Sequence, residues 1–308
     1  MISDIDQTTT QLLAKVAELG PGFRQRMRQQ DEDSAFPFES LAEATQAGLH
    51  KLCVPTEYGG YGYWQPGNYT GFYQILEELA FWEANTAQLL QITSHASGIV
   101  SWHANQEQRA KFLPEIVDGA LLASLGSEAH LYENGQERLE SELQPTEGGY
   151  TLTARKGFAS VAAGARYLTV WCAIEGDAPY ASRMVFALVP TDAPGVELLD
   201  DWQMLGMRST VSCGVKFTNV FVPDDHIIGE QGDWVNKDPR TFSLAYAANH
   251  IGSARGAFEF IVDYVKERDD LRNSEVVQVK LGHMDSELFA ARTALFATSA
   301  RLDRGDDP

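Results

Sequence analysis

The hydrophobic period of this 308-residue chain changes twice, from helical to strand-like and back to helical. Residues 8–126 show apolar side chains at helical spacing, with Leu12, Val16 and Leu19 as the first set. After Arg240 the helical period returns on two segments that are separated by the polar turn 268–274. Between these regions, four segments alternate every two residues and are rich in β-branched and aromatic side chains: 150–154, 167–173, 184–190 and 215–221.

This order predicts an α+β fold with a β-domain between two helical regions. We expect an N-terminal α-helical domain over residues 1–125, a middle β-domain over 126–232 and a C-terminal helical domain over 233–308. The two amphipathic segments after Arg240 predict an αα-hairpin with one apolar stripe. Such a stripe must pack on other helices or on another subunit.

Charge and cysteine content narrow the function classes. The chain has 24 Lys+Arg and 43 Asp+Glu, a formal net charge of −19, and no dense basic patch, which disfavours nucleic-acid and membrane-surface partners. Its three cysteines lie far apart and outside metal-ligand spacing, so we predict no metal site and a reduced, cytoplasmic environment. No run of 18 apolar residues occurs, so we expect no membrane span.

Taken alone, the residues that could carry chemistry leave alternatives open. His95 lies on an apolar helical segment and is a core histidine or a catalytic one. Ser127-Glu128 joins the helical and strand regions, as a solvated helix cap or as part of a ligand cleft. Phe158 and Ser160 would share one face of an extended segment, which suits a planar cofactor as well as a core and turn. Arg208 would bind an anion or loop carbonyls.

Several local motifs, read in this order, resemble those of the acyl-CoA dehydrogenase superfamily of FAD-dependent flavoproteins. The resemblance spans residues 54 to 223, and the helical hairpin after Arg240 also fits it. The motifs are VPTEYGGYG at 54–62, EELA at 77–80, NQEQR to FLP across 105–114, GGY to Lys across 148–156, LGMRST at 205–210 and VFVP at 220–223.

The resemblance implies FAD as the cofactor and a homo-oligomer, a dimer or a tetramer, built through the C-terminal helices. Arg268 corresponds to a residue that reaches the FAD of a neighbouring subunit. Ser127 stands where the family has a flavin-bonding threonine, and residues 158–160 stand where it has a segment that stacks on the isoalloxazine ring. The implied cofactor-binding residues are Ser124, Leu125, Gly126, Ser127, Phe158, Ala159, Ser160 and Arg268.

Other family features are missing. His130–Asn134 lacks the segment that contacts acyl-CoA, and Phe242–Ser243 stands where some members have their catalytic base. The sequence holds only two of the four helices of the family's C-terminal bundle, so we expect a partial bundle. α,β-Dehydrogenation needs a base for the α-proton. The sequence shows no such base at the family's positions, so we assign no catalytic residue.

Three functions are consistent with the sequence. The first is an acyl-CoA dehydrogenase-like oxidoreductase of fatty acid metabolism that acts on CH–CH groups of an acyl-CoA thioester. The second is a flavin-dependent monooxygenase of the same fold, which needs no α-proton base and in which His95 and Ser160 would lie near the flavin. The third is a non-catalytic relative with an assembly or ligand-binding role.

Overall fold

The computed structural model describes residues 6–65, 67–128, 132–133, 136–137, 140–233 and 240–306. The α-helices in these ranges are α1 (Gln7–Asp33), α2 (Phe38–Gln46), α3 (Tyr69–Trp82), α4 (Ala84–His103), α5 (Gln106–Val117), α6 (Tyr180–Arg183), α7 (Arg240–Lys266), α8 (Asp269–Arg272) and α9 (Glu275–Asp303). The strands are β1 (Leu122–Leu125), β2 (Tyr132–Glu133), β3 (Gln136–Glu137), β4 (Glu142–Thr146), β5 (Gly149–Lys156), β6 (Tyr167–Ile174), β7 (Met184–Pro190), β8 (Val196–Leu198), β9 (Val215–Pro223) and β10 (Ile227–Ile228).

These elements form two compact units. The helical unit comprises Met1–Arg28, Tyr63–Gln88 and Arg240–Pro308, and the sheet unit comprises Gln29–Gly62 and Leu89–Pro239. The α+β class and the order of helices, sheet and helices are therefore confirmed. The three domain boundaries drawn from the sequence remain a prediction.

Close packing between α3 and α7 organises the helical unit. A Cβ atom on Gly252 would lie 2.1 Å from the backbone oxygen of Glu77, so only glycine permits this helix approach. The Glu77 carboxylate is buried and accepts hydrogen bonds from Arg255 of α7 at 3.0 Å and Arg292 of α9 at 2.6 Å. One buried carboxylate thus connects three helices, and its charge is compensated by two guanidinium groups.

One sheet dominates the sheet unit, with the strand order β10-β7-β6-β4-β5-β9-β8. Strands β1 and β4 both pair with β6 in parallel, at Leu122–Leu125 and at Glu142–Leu143 respectively. Strands β6 and β7 are buried along most of their length, whereas β9 alternates between buried and exposed residues. The four strands predicted from period-two segments are all present, as β5, β6, β7 and β9.

Strand β1 differs from the helical structure expected over residues 8–126. Residues 122–125 pair with Tyr167–Val170 of β6, and the Leu122 backbone exchanges hydrogen bonds with the Thr93 hydroxyl at 2.9 and 3.0 Å. All four residues are buried or half-buried. A buried backbone must find hydrogen-bond partners, and here the neighbouring strand supplies them, which outweighs the weak helical pattern of four residues.

No helix among the residues described above is long and apolar enough to cross a membrane.

Candidate functional site

The sheet unit brings together the two segments that the sequence assigns to flavin contact. Segment 124–128 contains the end of β1 and the residues after it, and segment 156–160 contains the end of β5 and the residues after it. The backbone N–H of Gly157 donates to the carbonyl oxygen of Ser127 at 2.9 Å. Residues 30 positions apart along the chain therefore lie side by side, as the resemblance requires of a shared site.

A buried ion pair also connects the two segments. The Lys156 ammonium donates to Glu128 Oε1 and, at 2.6 Å, to the carbonyl oxygen of Trp171. The Lys156 and Glu128 side chains are 0% and 7% exposed. Glu128 also accepts hydrogen bonds from the Ser141 hydroxyl at 2.6 Å and from the Glu140 backbone N–H at 2.8 Å. Glu128 is therefore not the solvated helix cap considered above, since it follows a strand and is enclosed by donors.

These contacts determine the protonation of the pair. Burial by itself would raise the pKa of Glu128, but the charge of Lys156 and the hydrogen bonds from Lys156, Ser141 and Glu140 lower the pKa below its ordinary value. Burial lowers the pKa of Lys156, and the charge of Glu128 partly offsets that shift. Glu128 is thus a weak base at neutral pH, with its oxygens already engaged by donors.

Trp171 on β6 contacts several of the predicted site residues. Its indole Nε1–H donates to the Ser124 hydroxyl at 3.1 Å. A Cβ atom on Gly126 would lie 3.2 Å from the indole ring, so a larger residue there would require the indole to shift by a few tenths of an ångström. The centroid of the His95 ring lies 5.9 Å from that of the indole. The indole of Trp171 therefore contacts segment 124–128 and His95, while its backbone oxygen accepts from Lys156.

His95 lies on α4 and is 1% exposed. Burial is the main cause that lowers its pKa to about 3, and repulsion by His103 adds to the effect. The imidazole is therefore neutral across the physiological range, with one N–H donor and one bare nitrogen acceptor. Its burial fits a core histidine, and its contact with Trp171 places it beside the residues assigned to the cofactor.

The Phe158–Ser160 segment departs from the extended conformation expected from the sequence. Strand β5 ends at Lys156, and Phe158 adopts a φ of +53°, in the left-handed region. Phe158 is 63% exposed and its ring meets Trp202 edge-on, with centroids 6.1 Å apart, whereas Ser160 is 9% exposed. The turn therefore separates the two side chains: the ring faces solvent and the hydroxyl points into the protein.

The loop 207–213 holds this turn in place. The Ala159 N–H donates to the carbonyl oxygen of Cys213 at 2.9 Å, and the hydroxyls of Ser160 and Ser212 lie 2.7 Å apart. Both loops contain non-glycine residues at positive φ, a strained state that clusters at functional sites. They are Phe158 at +53°, Val161 at +75°, Met207 at +55° and Val211 at +41°.

The two arginines considered from the sequence are both engaged within the protein. Arg208 donates to the backbone oxygens of Asp31 at 2.7 Å and Glu32 at 3.2 Å. It therefore caps the carboxyl end of α1, which agrees with the alternative that it binds backbone carbonyls. Arg268 belongs to the helical unit and donates to both carboxylate oxygens of Asp270, at 3.2 and 3.1 Å. The structure therefore brings together the predicted site residues 124–127 and 158–160, whereas Arg268 is part of the other unit.

Two further positions from the sequence concern acyl-CoA chemistry. Phe242, at the expected position of a base, lies in α7 and packs against Trp64 and Tyr246, with ring centroids 6.1 and 5.0 Å apart. It contributes to an aromatic cluster, and no carboxylate stands there. The expected acyl-CoA segment at His130–Asn134 lies outside the described residues, apart from the backbone of β2.

Sequence reasoning missed the residues that support the site from behind, namely Lys156, Trp171, Thr210 and Ser212. Lys156 had a recognisable signal, because a lysine closes an otherwise half-buried strand. The Ser212 hydroxyl had no such signal, since its partner Ser160 is 52 residues away along the chain.

Comparison with known proteins places this geometry in a family. The N-terminal, middle and C-terminal domain models of acyl-CoA dehydrogenase match residues 8–120, 134–220 and 243–308. A dibenzothiophene monooxygenase of Rhodococcus erythropolis is 30% identical over 210 residues, covering 67% of this chain and 46% of that protein. A mitochondrial isovaleryl-CoA dehydrogenase of Oryza sativa subsp. japonica is 24% identical, covering 83% and 64%. The chain thus spans about half to two thirds of the length of these relatives.

Solved structures agree on the fold. TdsC of Paenibacillus sp. A11-2 with FMN and indole superposes with a TM-score of 0.84 at 25% identity, covering 95% of this chain and 76% of that one. Butyryl-CoA dehydrogenase of Megasphaera elsdenii superposes with a TM-score of 0.89 at 20% identity, covering 100% and 82%. The three domain models and these folds show that the chain belongs to the acyl-CoA dehydrogenase superfamily.

Proposed function

We propose that this chain is a flavin-dependent monooxygenase that uses reduced flavin and O₂ to oxygenate an aromatic heterocycle. The observation that carries the proposal is the state of Glu128, the single carboxylate in segments 124–128, 156–160 and 207–213. It is held in an ion pair with Lys156, so these segments contain no carboxylate able to accept a substrate proton.

The contrast with dehydrogenation follows from the chemistry. Removal of hydride from Cβ of a thioester requires a base for the α-proton, within hydrogen-bond reach. A base also needs a pKa near the working pH, whereas the pKa of Glu128 lies below its ordinary value. Phe242 supplies no alternative at the position where some family members have theirs. Oxygen transfer from a reduced cofactor needs no such base.

We propose that the two segments would hold the ring system of a flavin. The hydroxyls of Ser124 and Ser127 and the backbone of Leu125 and Gly126 would provide polar contacts, and Phe158, which is 63% exposed, would provide an aromatic face. Reduced flavin held there would supply two electrons to O₂, so that one oxygen atom enters the substrate and the other leaves as water. The buried, neutral His95 would provide one hydrogen-bond donor without adding charge.

We base the choice between FMN and FAD on Arg268. The sequence predicts FAD, with Arg268 reaching the cofactor of a neighbouring subunit. In the structure, both carboxylate oxygens of Asp270 and the Tyr264 hydroxyl, at 2.9 Å, engage that guanidinium. An arginine already neutralised by a carboxylate gains less from a pyrophosphate. We therefore propose FMN, and we expect Arg268→Gln to leave its affinity unchanged within about twofold.

The experiment compares the two activities with one preparation. The chain is incubated with photoreduced FMN or FAD, ¹⁸O₂ and indole or dibenzothiophene as probes, and the product is analysed by mass spectrometry. We expect one ¹⁸O atom in the product, and His95→Gln to lower its yield at least tenfold. In parallel, the chain loaded with oxidised flavin is mixed anaerobically with butyryl-CoA or isovaleryl-CoA.

Bleaching of the flavin by an acyl-CoA, without oxygenation of either probe, would replace this proposal with the dehydrogenase function. A chain that binds neither flavin would instead support the non-catalytic alternative. Light scattering after size exclusion tests the homo-oligomer, dimer or tetramer, that the family resemblance implies.

A further inference from the structure

Three hydroxyl groups form an unbranched hydrogen-bonded chain that begins in segment 156–160. The Ser160 hydroxyl lies 2.7 Å from that of Ser212, and the Ser212 hydroxyl lies 2.8 Å from that of Thr210. The Thr210 hydroxyl lies 2.7 Å from the backbone oxygen of Met207. All three hydroxyl-bearing residues are buried, so bulk water does not compete for these hydrogen bonds.

The direction of every hydrogen bond in this chain is determined by its last atom. A carbonyl oxygen only accepts, so Thr210 donates its proton to Met207. A hydroxyl has one proton, so Thr210 then has only lone pairs for Ser212, and Ser212 must donate to it. By the same reasoning, Ser160 must donate its proton to Ser212. The Ser160 oxygen is therefore left with lone pairs and acts as an acceptor toward any further partner.

The Met207 carbonyl is a firm end point for this order. It also accepts from the indole N–H of Trp202 at 3.2 Å and from the backbone N–H of Thr210 at 3.2 Å. Met207 itself is held at a φ of +55°. The hydroxyl chain ends on a carbonyl, which has no proton to pass on. It therefore fixes the direction of the hydrogen bonds and does not conduct protons.

From this polarity we infer that Ser212 and Thr210 are specificity-determining residues that make the site prefer reduced over oxidised flavin. The inference rests on the proposed function, in which Ser160 belongs to the flavin-binding segment. The inference has Ser160 face one of the two isoalloxazine nitrogens, N1 or N5, that are bare acceptors in the oxidised ring and can carry an N–H after two-electron reduction. An acceptor-only hydroxyl pairs with an N–H, whereas it opposes a bare nitrogen.

The difference in affinity comes from one contact. Reduced flavin makes a hydrogen bond to Ser160, whereas oxidised flavin places an acceptor against an acceptor. We expect reduced FMN to bind about tenfold more tightly than oxidised FMN. For a two-electron couple, a tenfold ratio of dissociation constants raises the midpoint potential of the bound flavin by about 30 mV relative to free flavin.

The test measures this ratio in the full chain and in variants. Dissociation constants for oxidised and photoreduced FMN are determined by anaerobic fluorescence titration, and the midpoint potential by dye equilibration. Ser212→Ala removes the acceptor for the Ser160 proton, so Ser160 becomes free to donate to oxidised flavin. Thr210→Val has the same effect one step earlier, because it frees Ser212 to donate to Ser160. Both variants should reduce the ratio about tenfold, toward one.

A matched control is Thr191→Val, which removes a partly buried hydroxyl bonded to the Ala165 carbonyl at 2.7 Å but not linked to Ser160. The ratio should stay at its wild-type value. A merely structural role for Ser212 would weaken both redox states equally and leave the ratio unchanged, which would overturn the inference. Equal affinity for both redox states in the wild type would overturn it while leaving the monooxygenase proposal intact. Failure to bind either state would reject both.

Discussion

Replacing Lys156 with methionine tests whether the buried ion pair joins the two site segments. Methionine keeps most of the side-chain volume and removes the ammonium, which leaves the Glu128 carboxylate 7% exposed without its countercharge. Hydrogen bonds from Ser141 and Glu140 remain, so the carboxylate is not isolated. We expect a loss of about 3–5 kcal/mol in the free energy of unfolding, the usual cost of breaking a buried pair from one side.

A second variant separates charge from packing. The double variant Lys156→Met with Glu128→Gln removes both charges, so it should recover at least about half of the loss, since a neutral pair is not penalised by burial. The matched control is Lys111→Met, which breaks the exposed pair with Asp225, at 2.7 Å, and should cost about 0–1 kcal/mol.

Urea unfolding followed by circular dichroism measures the stability of five proteins: the wild type, Lys156→Met, Glu128→Gln, the double variant and Lys111→Met. FMN titration measures the binding site. We expect Lys156→Met to weaken FMN binding more than Lys111→Met does, because segments 124–128 and 156–160 lose their side-chain connection. The reasoning is refuted if Lys156→Met costs no more than Lys111→Met, or if the double variant is as unstable as the sum of the two single variants.

Three further predictions concern pH and packing. Because its folded pKa is lowered, Glu128 stabilises the fold above its ordinary pKa of about 4.3 and loses that effect as the pH falls through the lowered value. The stability gap between wild type and Glu128→Gln should therefore narrow in urea titrations below pH 4, and a constant gap would contradict this. His95 binds a proton more readily in the unfolded chain, so the wild type should lose about 1.4 kcal/mol per pH unit more than His95→Gln between pH 6.5 and about 3, measured in the same way. Gly252→Ala would press a Cβ against the Glu77 backbone oxygen and should lower the free energy of unfolding by about 1–3 kcal/mol. Gly282→Ala, with no atom within 4 Å of the new Cβ, should raise it by about 0.5–1 kcal/mol. Thermal unfolding measures both variants, and equal effects would refute the packing argument.

The fold was largely predictable because its long elements have strong periods. Strands β6 and β7 are rich in β-branched and aromatic residues, and α7 and α9, which are 27 and 29 residues long, have apolar side chains at helical spacing over residues 251–265 and 277–295. Strand β1 was not predictable, because its four residues take their conformation from the pairing with β6. Local propensity is weak over so short a segment, and tertiary hydrogen bonds decide its structure.

The candidate site was predictable as two segments and not as an arrangement. Motif order indicated that residues 124–127 and 158–160 act together, but their relative placement depends on Glu128 and Lys156, which pair across 28 residues. The positive φ of Phe158 was not evident either, because a phenylalanine gives no signal for a left-handed turn. That turn reverses the expected side-chain pattern and buries Ser160 while it exposes the ring.

The electrostatics of the site connect these observations to the choice between the two reactions. Lys156 and Glu128 neutralise each other, and burial keeps His95 uncharged. The remaining polar groups of segments 124–127 and 158–160 are hydroxyls and backbone amides. A site of this kind favours a partner through the direction of its hydrogen bonds, because it has no uncompensated charge to offer.

Dehydrogenation of a thioester requires a charge to appear and a proton to be taken up, and these segments provide no group for either. Under the proposed function the flavin arrives in its reduced state, and we infer that the acceptor-only Ser160 hydroxyl, which lies 2.7 Å from the Ser212 hydroxyl, would favour that state through a single hydrogen bond.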